Sequence, residues 1–192
     1  MAGNISGRRL VSSLLMGLMI TGAACTSIET RDEVSAQNLE DYDLTQTDMH
    51  GLKEAEGAYI TFAEGPCFGA CPVYEMLITP DDRYYVYPER FTHREQPYSG
   101  ELPRGSFNKI HDLTVREPYR SLKADYTPDS GNCGAAATDM PSAKFSIQTP
   151  AATRSMDVYW GCSTARGEVR DFFSQLKTIL EVSRTVYEKP GR

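Results

Sequence analysis

Pro72-Val73-Tyr74-Glu75-Met76-Leu77-Ile78-Thr79-Pro80-Asp81-Asp82-Arg83-Tyr84-Tyr85-Val86-Tyr87 reads as two strands joined by a turn. Tyr74, Met76 and Ile78 alternate with Glu75 and Thr79, the period of a strand with one buried face. Pro80-Asp81-Asp82 is a turn cluster, and Arg83 to Tyr87 is rich in residues that favour strands. Upstream, Ala58-Tyr59-Ile60-Thr61-Phe62-Ala63 is a third strand candidate, and a weaker one lies near Tyr98 to Leu102. Short strands separated by turns point to an antiparallel meander.

Downstream the period changes. Phe107, Ile110 and Leu113 recur at helical spacing, with Ser106 placed to cap the helix and Pro118 to end or kink it. Residues 126–141 are loop-like, with Pro128, Gly131, Asn132, Gly134 and Pro141. Ala143 to Gln148 and Arg154 to Trp160 suit two more strands. The strongest helix is last: Val169, Phe172, Phe173, Leu176, Ile179 and Leu180 repeat at three and four, opposite Arg170, Asp171, Lys177, Glu181 and Arg184. The order meander, helix, two strands, helix predicts an α+β domain, an antiparallel sheet with two helices packed on one face.

The N-terminus reads as an export signal. Arg8 and Arg9 precede an apolar run from Leu10 to Ile20, then Gly22-Ala23-Ala24-Cys25. The run is too short for a bilayer core, which needs about twenty residues. Thr21 to Cys25 resembles a lipobox, which implies a cysteine acylated on sulfur at the mature N-terminus, although Gly22 stands where leucine is usual. Gly22-x-Ala24 also suits an ordinary signal peptidase, which would leave a soluble periplasmic protein. By resemblance to sorted lipoproteins, Thr26 implies passage to the outer membrane. Residues 1–24 are therefore expected to be signal, and residues 25–56 a lipidated N-terminus and acidic tether. Between residues 28 and 56 stand nine acids against Arg31 and Lys53, with sparse apolar residues; the competing reading is a short helix over Leu39 to Leu52. Residues 57–192 form the folded domain.

Charge excludes one class of partner. The chain carries 20 basic and 26 acidic side chains, a net charge of −6, whereas nucleic-acid binding needs clustered cations. The expected partners are the membrane, through lipid, and an envelope protein. With Cys25 lipidated, Cys67, Cys71, Cys133 and Cys162 remain in an oxidising compartment, where disulfides persist. Four cysteines allow three pairings. Sequence alone does not choose among them, but Gly69 and the flanking prolines favour a tight turn that can bring the sulfurs of Cys67 and Cys71 together. Cys133 and Cys162 are then the second natural pair.

Cys67-Phe68-Gly69, Cys71-Pro72 and Tyr74 resemble the CFGxCPxY signature of a bacterial envelope family known as a domain of unknown function. The downstream helix, Leu122, Tyr126 and Asp139 fit the same pattern. The resemblance covers roughly residues 57–185 and implies no catalytic residues.

The residues suit three functions to different degrees. The first is a non-catalytic binding or structural domain with no cofactor, for which tyrosines at 84, 85 and 87 either offer an apolar patch or fill a sheet face. The second is thiol–disulfide exchange at Cys67 and Cys71. It needs a lowered thiol pKa, yet the residues after Cys71 alternate like a strand and three residues, not two, separate the cysteines. The third is copper(I) handling, since Cys-x3-Cys-Pro resembles the motif of Sco copper chaperones. Those also need a distant histidine, and only His50, His93 and His111 are present. Hydrolase signatures (Gly-x-Ser-x-Gly, His-Glu-x-x-His, a phosphate loop) are lacking. Asp125, Asp129 and Asp139 gather around a loop without an EF-hand spacing.

Overall fold

The computed structural model describes Gly51, Lys53 and residues 57–187; all lie in one compact unit, Asp41–Arg192. The expected signal, Cys25 and nearly all of the expected tether fall outside the described residues. Lys53, at the tether's end, donates to Glu75 Oε1 at 3.2 Å and lies 5.9 Å above the Tyr59 ring.

The elements are β1 (Tyr59–Glu64), β2 (Val73–Ile78), β3 (Arg83–Arg90), β4 (Tyr98–Glu101), α1 (Ser106–Val115), a 3-10 turn (Tyr119–Ser121), β5 (Asp125–Tyr126), β6 (Ser142–Gln148), β7 (Thr153–Tyr159), α2 (Glu168–Ile179) and a π-helical turn (Ser183–Tyr187). They form an α+β fold on a seven-stranded sheet of order β4-β3-β2-β1-β6-β7-β5. All pairs are antiparallel except β5 with β7, which is parallel. The expectation of a wholly antiparallel sheet is corrected there. A strand of two residues has no period to read, and Asp125–Tyr126 borders a stretch whose prolines and glycines signal only loop.

Register turns alternation into rows of side chains. Val86, Met76, Phe62, Phe145 and Met156 align across five strands, and every one is buried. A second row runs Tyr84, Ile78, Ile60, Ile147 and ends on Arg154. Gly100 faces Tyr84 at the sheet edge. A Cβ there would come within 2.6 Å of the Tyr84 hydroxyl oxygen, so glycine leaves the space the ring fills. Both helices pack on this face. Phe172 meets Phe145 edge-on at 5.3 Å and Phe173 lies 6.3 Å from Phe62. The opposite face holds a small cluster of Leu77, Tyr85 and Tyr87 with Tyr59 beside it. Tyr84, Tyr85 and Tyr87 are thus divided between the faces and all buried; they present no exposed patch.

α1 is held at both ends by the sheet. It carries no acid in its first turn and no base in its last. Ser106, the expected cap, instead donates its hydroxyl to the Pro103 carbonyl. The capping acceptor is Asp82 in the β2–β3 turn, whose carboxylate receives the backbone N–H of Gly105 and of Phe107. At the other end the Arg154 guanidinium donates to the carbonyls of Thr114 and Tyr119. A carboxylate at the N-terminus and a guanidinium at the C-terminus complement the helix dipole. The dimensions agree: four strand spacings from β3 to β7 make about 19 Å, and ten helical residues about 15 Å.

Asp82→Ala removes a charged cap and strands two backbone donors, so it should cost about 2 kcal/mol in urea unfolding. Ser106→Ala should cost less than half of that. Equal losses would return the cap to Ser106.

Candidate functional site

The β1–β2 connection carries the cysteine motif. Residues four apart in a strand are separated by about 13 Å; here the chain doubles back, and the Cα atoms of Cys67 and Cys71 lie 5.7 Å apart, bridged by a disulfide. Gly69 makes the reversal at φ +141°, a value that favours glycine. The loop is pinned to the segment before β6: Gly65 N–H donates to the Ser142 carbonyl at 2.9 Å and Phe68 N–H to the Asp139 carbonyl at 3.2 Å. Phe68 itself points into solvent, 88% exposed.

Glu64 sits at the base of this loop. It is in phase with Ile60 and Phe62 and aligns with Tyr74, Ala143 and Val158 on the helix-bearing face, so β-alternation places a carboxylate among apolar neighbours. Only 14% of its side chain is exposed. Three donors satisfy it. The Tyr74 hydroxyl reaches Oε2 at 2.9 Å, the Tyr187 hydroxyl binds the same oxygen, and Lys177 pairs with Oε1. Tyr74, the last residue of the motif, thus ties β2 to β1, while Lys177 and Tyr187 bring in α2 and the π-helical turn. Burial, and next the charge of Glu64, push the Tyr74 phenol well above its ordinary range. Burial and the bond to Glu64 do the same for Tyr187. Both stay neutral donors, so the cluster acts as a fastening.

The second pair is Cys133 and Cys162, with Cα atoms 4.7 Å apart. Both are buried, and backbone bonds from Ala137 N–H to Gly161 O (2.9 Å) and Ser163 N–H to Ala135 O (2.8 Å) lace the loop to the segment after β7. Closing 29 residues in the unfolded chain is worth about 3.5 kcal/mol, and closing the four of the first loop about 2 kcal/mol.

Beside the first loop lies a cleft of about 430 Å³, lined among others by Glu64, Pro66, Tyr74, Tyr87, Glu89 and Lys144. The other candidates are scattered. His93 binds the Val186 carbonyl through Nδ1 at 2.8 Å and meets the Tyr98 ring at a tilt, centroids 5.0 Å apart; His111 lies on α1, 3.6 Å from its neighbour Asp112; His50 is outside the described residues. Asp125 accepts the Thr127 hydroxyl (2.6 Å) and N–H (2.8 Å), which hold its carboxyl below the usual range. Asp139 contributes its carbonyl to the cysteine loop. Among the described residues, no three His, Cys, Asp or Glu side chains gather as a metal site. Sequence reading missed Glu64, although its phase with Ile60 and Phe62 was the available signal.

Stability should fall as pH rises past about 10, the ordinary phenol value. The unfolded chain ionises Tyr74 and Tyr187 there, whereas the folded chain keeps their protons. In Tyr74→Phe, urea unfolding should show a loss of about 1–3 kcal/mol at neutral pH and a shallower decline between about pH 9 and about pH 11. An unchanged alkaline slope would remove Tyr74 from this linkage.

No curated protein matches the chain. The family described as "Domain of unknown function (DUF6438)" matches residues 58–180, which include the cysteine loop, Glu64, Tyr74, Lys177 and both disulfides. Since the match covers more than half of the 192 residues, the chain belongs to the DUF6438 family.

Proposed function

We propose that this chain is a non-catalytic binding protein of the cell envelope, tethered by lipid on Cys25 to the periplasmic side of the outer membrane. Residues 1–24 are its export signal, residues 25–56 its acidic tether and residues 57–192 its working domain. The lipobox-like Gly22-Ala23-Ala24-Cys25 and the four disulfide-bonded cysteines support export. We take the CFGxCPxY motif, inside the matched residues, as the family's signature, and the order meander, helix, two strands, helix as its ground plan.

One observation carries the binding reading: Phe68 is held 88% exposed on a loop closed by a disulfide. Burying such a ring is worth about 1.5–3 kcal/mol, and the staple removes ordering cost before any partner arrives. A rigid exposed aromatic is what an interface anchor requires.

Cys25→Ala should move the protein from the membrane to the soluble periplasmic fraction; retention on membranes would end the lipid assignment. A photoreactive residue at position 68 should crosslink to another envelope protein, and one at Val115, also exposed, should not.

A second reading, thiol exchange or copper(I) handling at Cys67 and Cys71, draws on a contrast in burial. That pair is half-buried, whereas Cys133 and Cys162 are 2% and 1% exposed. A reduction potential for Cys67–Cys71 below about −300 mV would eliminate the exchange reaction.

A further inference from the structure

Five large apolar side chains are exposed among the described residues: Phe68, Phe91, Val115, Met140 and Tyr187. Register places four of them at one end of the sheet. Phe68 lies in the loop after β1. Phe91 follows Arg90, which pairs with Val73 at the start of β2. Met140 precedes β6, whose Ala143 pairs with Glu64, and Tyr187 binds Glu64 itself. Val115 lies at the other end, where Arg154 holds the neighbouring Thr114 carbonyl. Apolar exposure this concentrated marks an interaction surface more than scattered surface residues do.

The cleft lies at the same end of the sheet, lined by Pro66, two residues before Phe68, and by Glu89, two residues before Phe91. Its apolar walls include Pro66, Val73, Tyr74, Tyr87, Pro88 and Pro97. Its charges are unequal. Glu64 is paired with Lys177, Glu75 with Lys53, and Lys144 with Asp157 at 3.5 Å. Glu89 is exposed and has no ion pair among the described residues. Among the lining residues the charge left over is negative. Complementarity therefore selects a cationic occupant with apolar flanks.

We infer that the cleft takes a basic segment of a partner protein, with a lysine or arginine at Glu89 and apolar residues against Phe68, Phe91 and the proline walls. This rests on the binding-domain reading above and specifies the partner's chemistry. The disulfide and the bonds to Ser142 and Asp139 set one wall of the cleft in advance, so the segment would dock on a surface already shaped.

The test uses the full chain carrying Cys25→Ala and two fluorescein-labelled nine-residue peptides. One repeats lysine, proline and leucine; the other has glutamate at each lysine. Fluorescence anisotropy should show the lysine peptide binding at least tenfold more tightly, with the preference shrinking as salt rises. Glu89→Lys should weaken the lysine peptide at least tenfold, Phe68→Ser should weaken both peptides, and Val115→Ser should leave them unchanged. All three side chains are exposed, so these variants test the surface with the core intact. Equal affinity for the two peptides, an unchanged affinity in Glu89→Lys, or no binding of either would overturn the inference. If neither peptide binds while position 68 still crosslinks to another protein, only the basic-segment assignment falls. If position 68 crosslinks to a second copy of this chain, both readings fall.

Discussion

The domain is organised around a carboxylate that β-alternation puts on the wrong face. Ile60, Phe62 and Glu64 share one side of β1, and the first two are fully buried under the helices. A lone buried carboxylate is costly, so the fold must bring donors to Glu64 or lose the end of its central strand. Tyr74 comes from β2, Lys177 from α2 and Tyr187 from the final turn. β2 already pairs with β1 along the sheet, whereas these side-chain bonds tie α2 and the final turn to the end of β1. One acid thereby sets how the second helix and the last turn lie on the sheet, and it does so directly beneath the cysteine loop. Tyr187 follows the matched residues 58–180, so this chain completes the fastening with a residue outside the family's matched stretch.

Much of this was legible in the sequence because it is written in periods. Alternation over Val73–Ile78 and the strand-favouring residues of Arg83–Tyr87 found the meander, and the spacing of Val169, Phe172, Phe173 and Leu176 found α2. The tight turn at Gly69 was readable from residue type, but residue type does not fix which cysteines pair. What escaped has no local signature. β5 is two residues long. Asp82 caps a helix that begins more than twenty residues later, and Arg154 ends an apolar row that looks, in one dimension, like an ordinary strand start. The exposure of Phe68 is likewise invisible, since a phenylalanine in a sequence reads as core until the loop around it is known.

The two disulfides divide the labour at this end of the sheet. Cys133–Cys162 is interior and pins the irregular stretch between β5 and β6, sparse in backbone pairing, to the segment after β7. Cys67–Cys71 is superficial and shapes a short loop that β1 and β2 already bracket. The first compensates for a stretch poor in regular structure; the second fixes what that stretch's neighbour shows to solvent.

α1 owes both of its terminal charges to other elements. Cut out as a peptide, residues 106–115 would keep the amphipathic stripe but lose the partners of the first amides and last carbonyls, and ten residues rarely hold a helix alone in water. Its coiling is thus a readout of sheet assembly: the segment becomes helical when the β2–β3 turn and β7 stand the correct number of strands apart. A spectroscopic reporter on this helix would sense strand insertion or loss anywhere between them, which makes α1 a built-in gauge of the sheet's width.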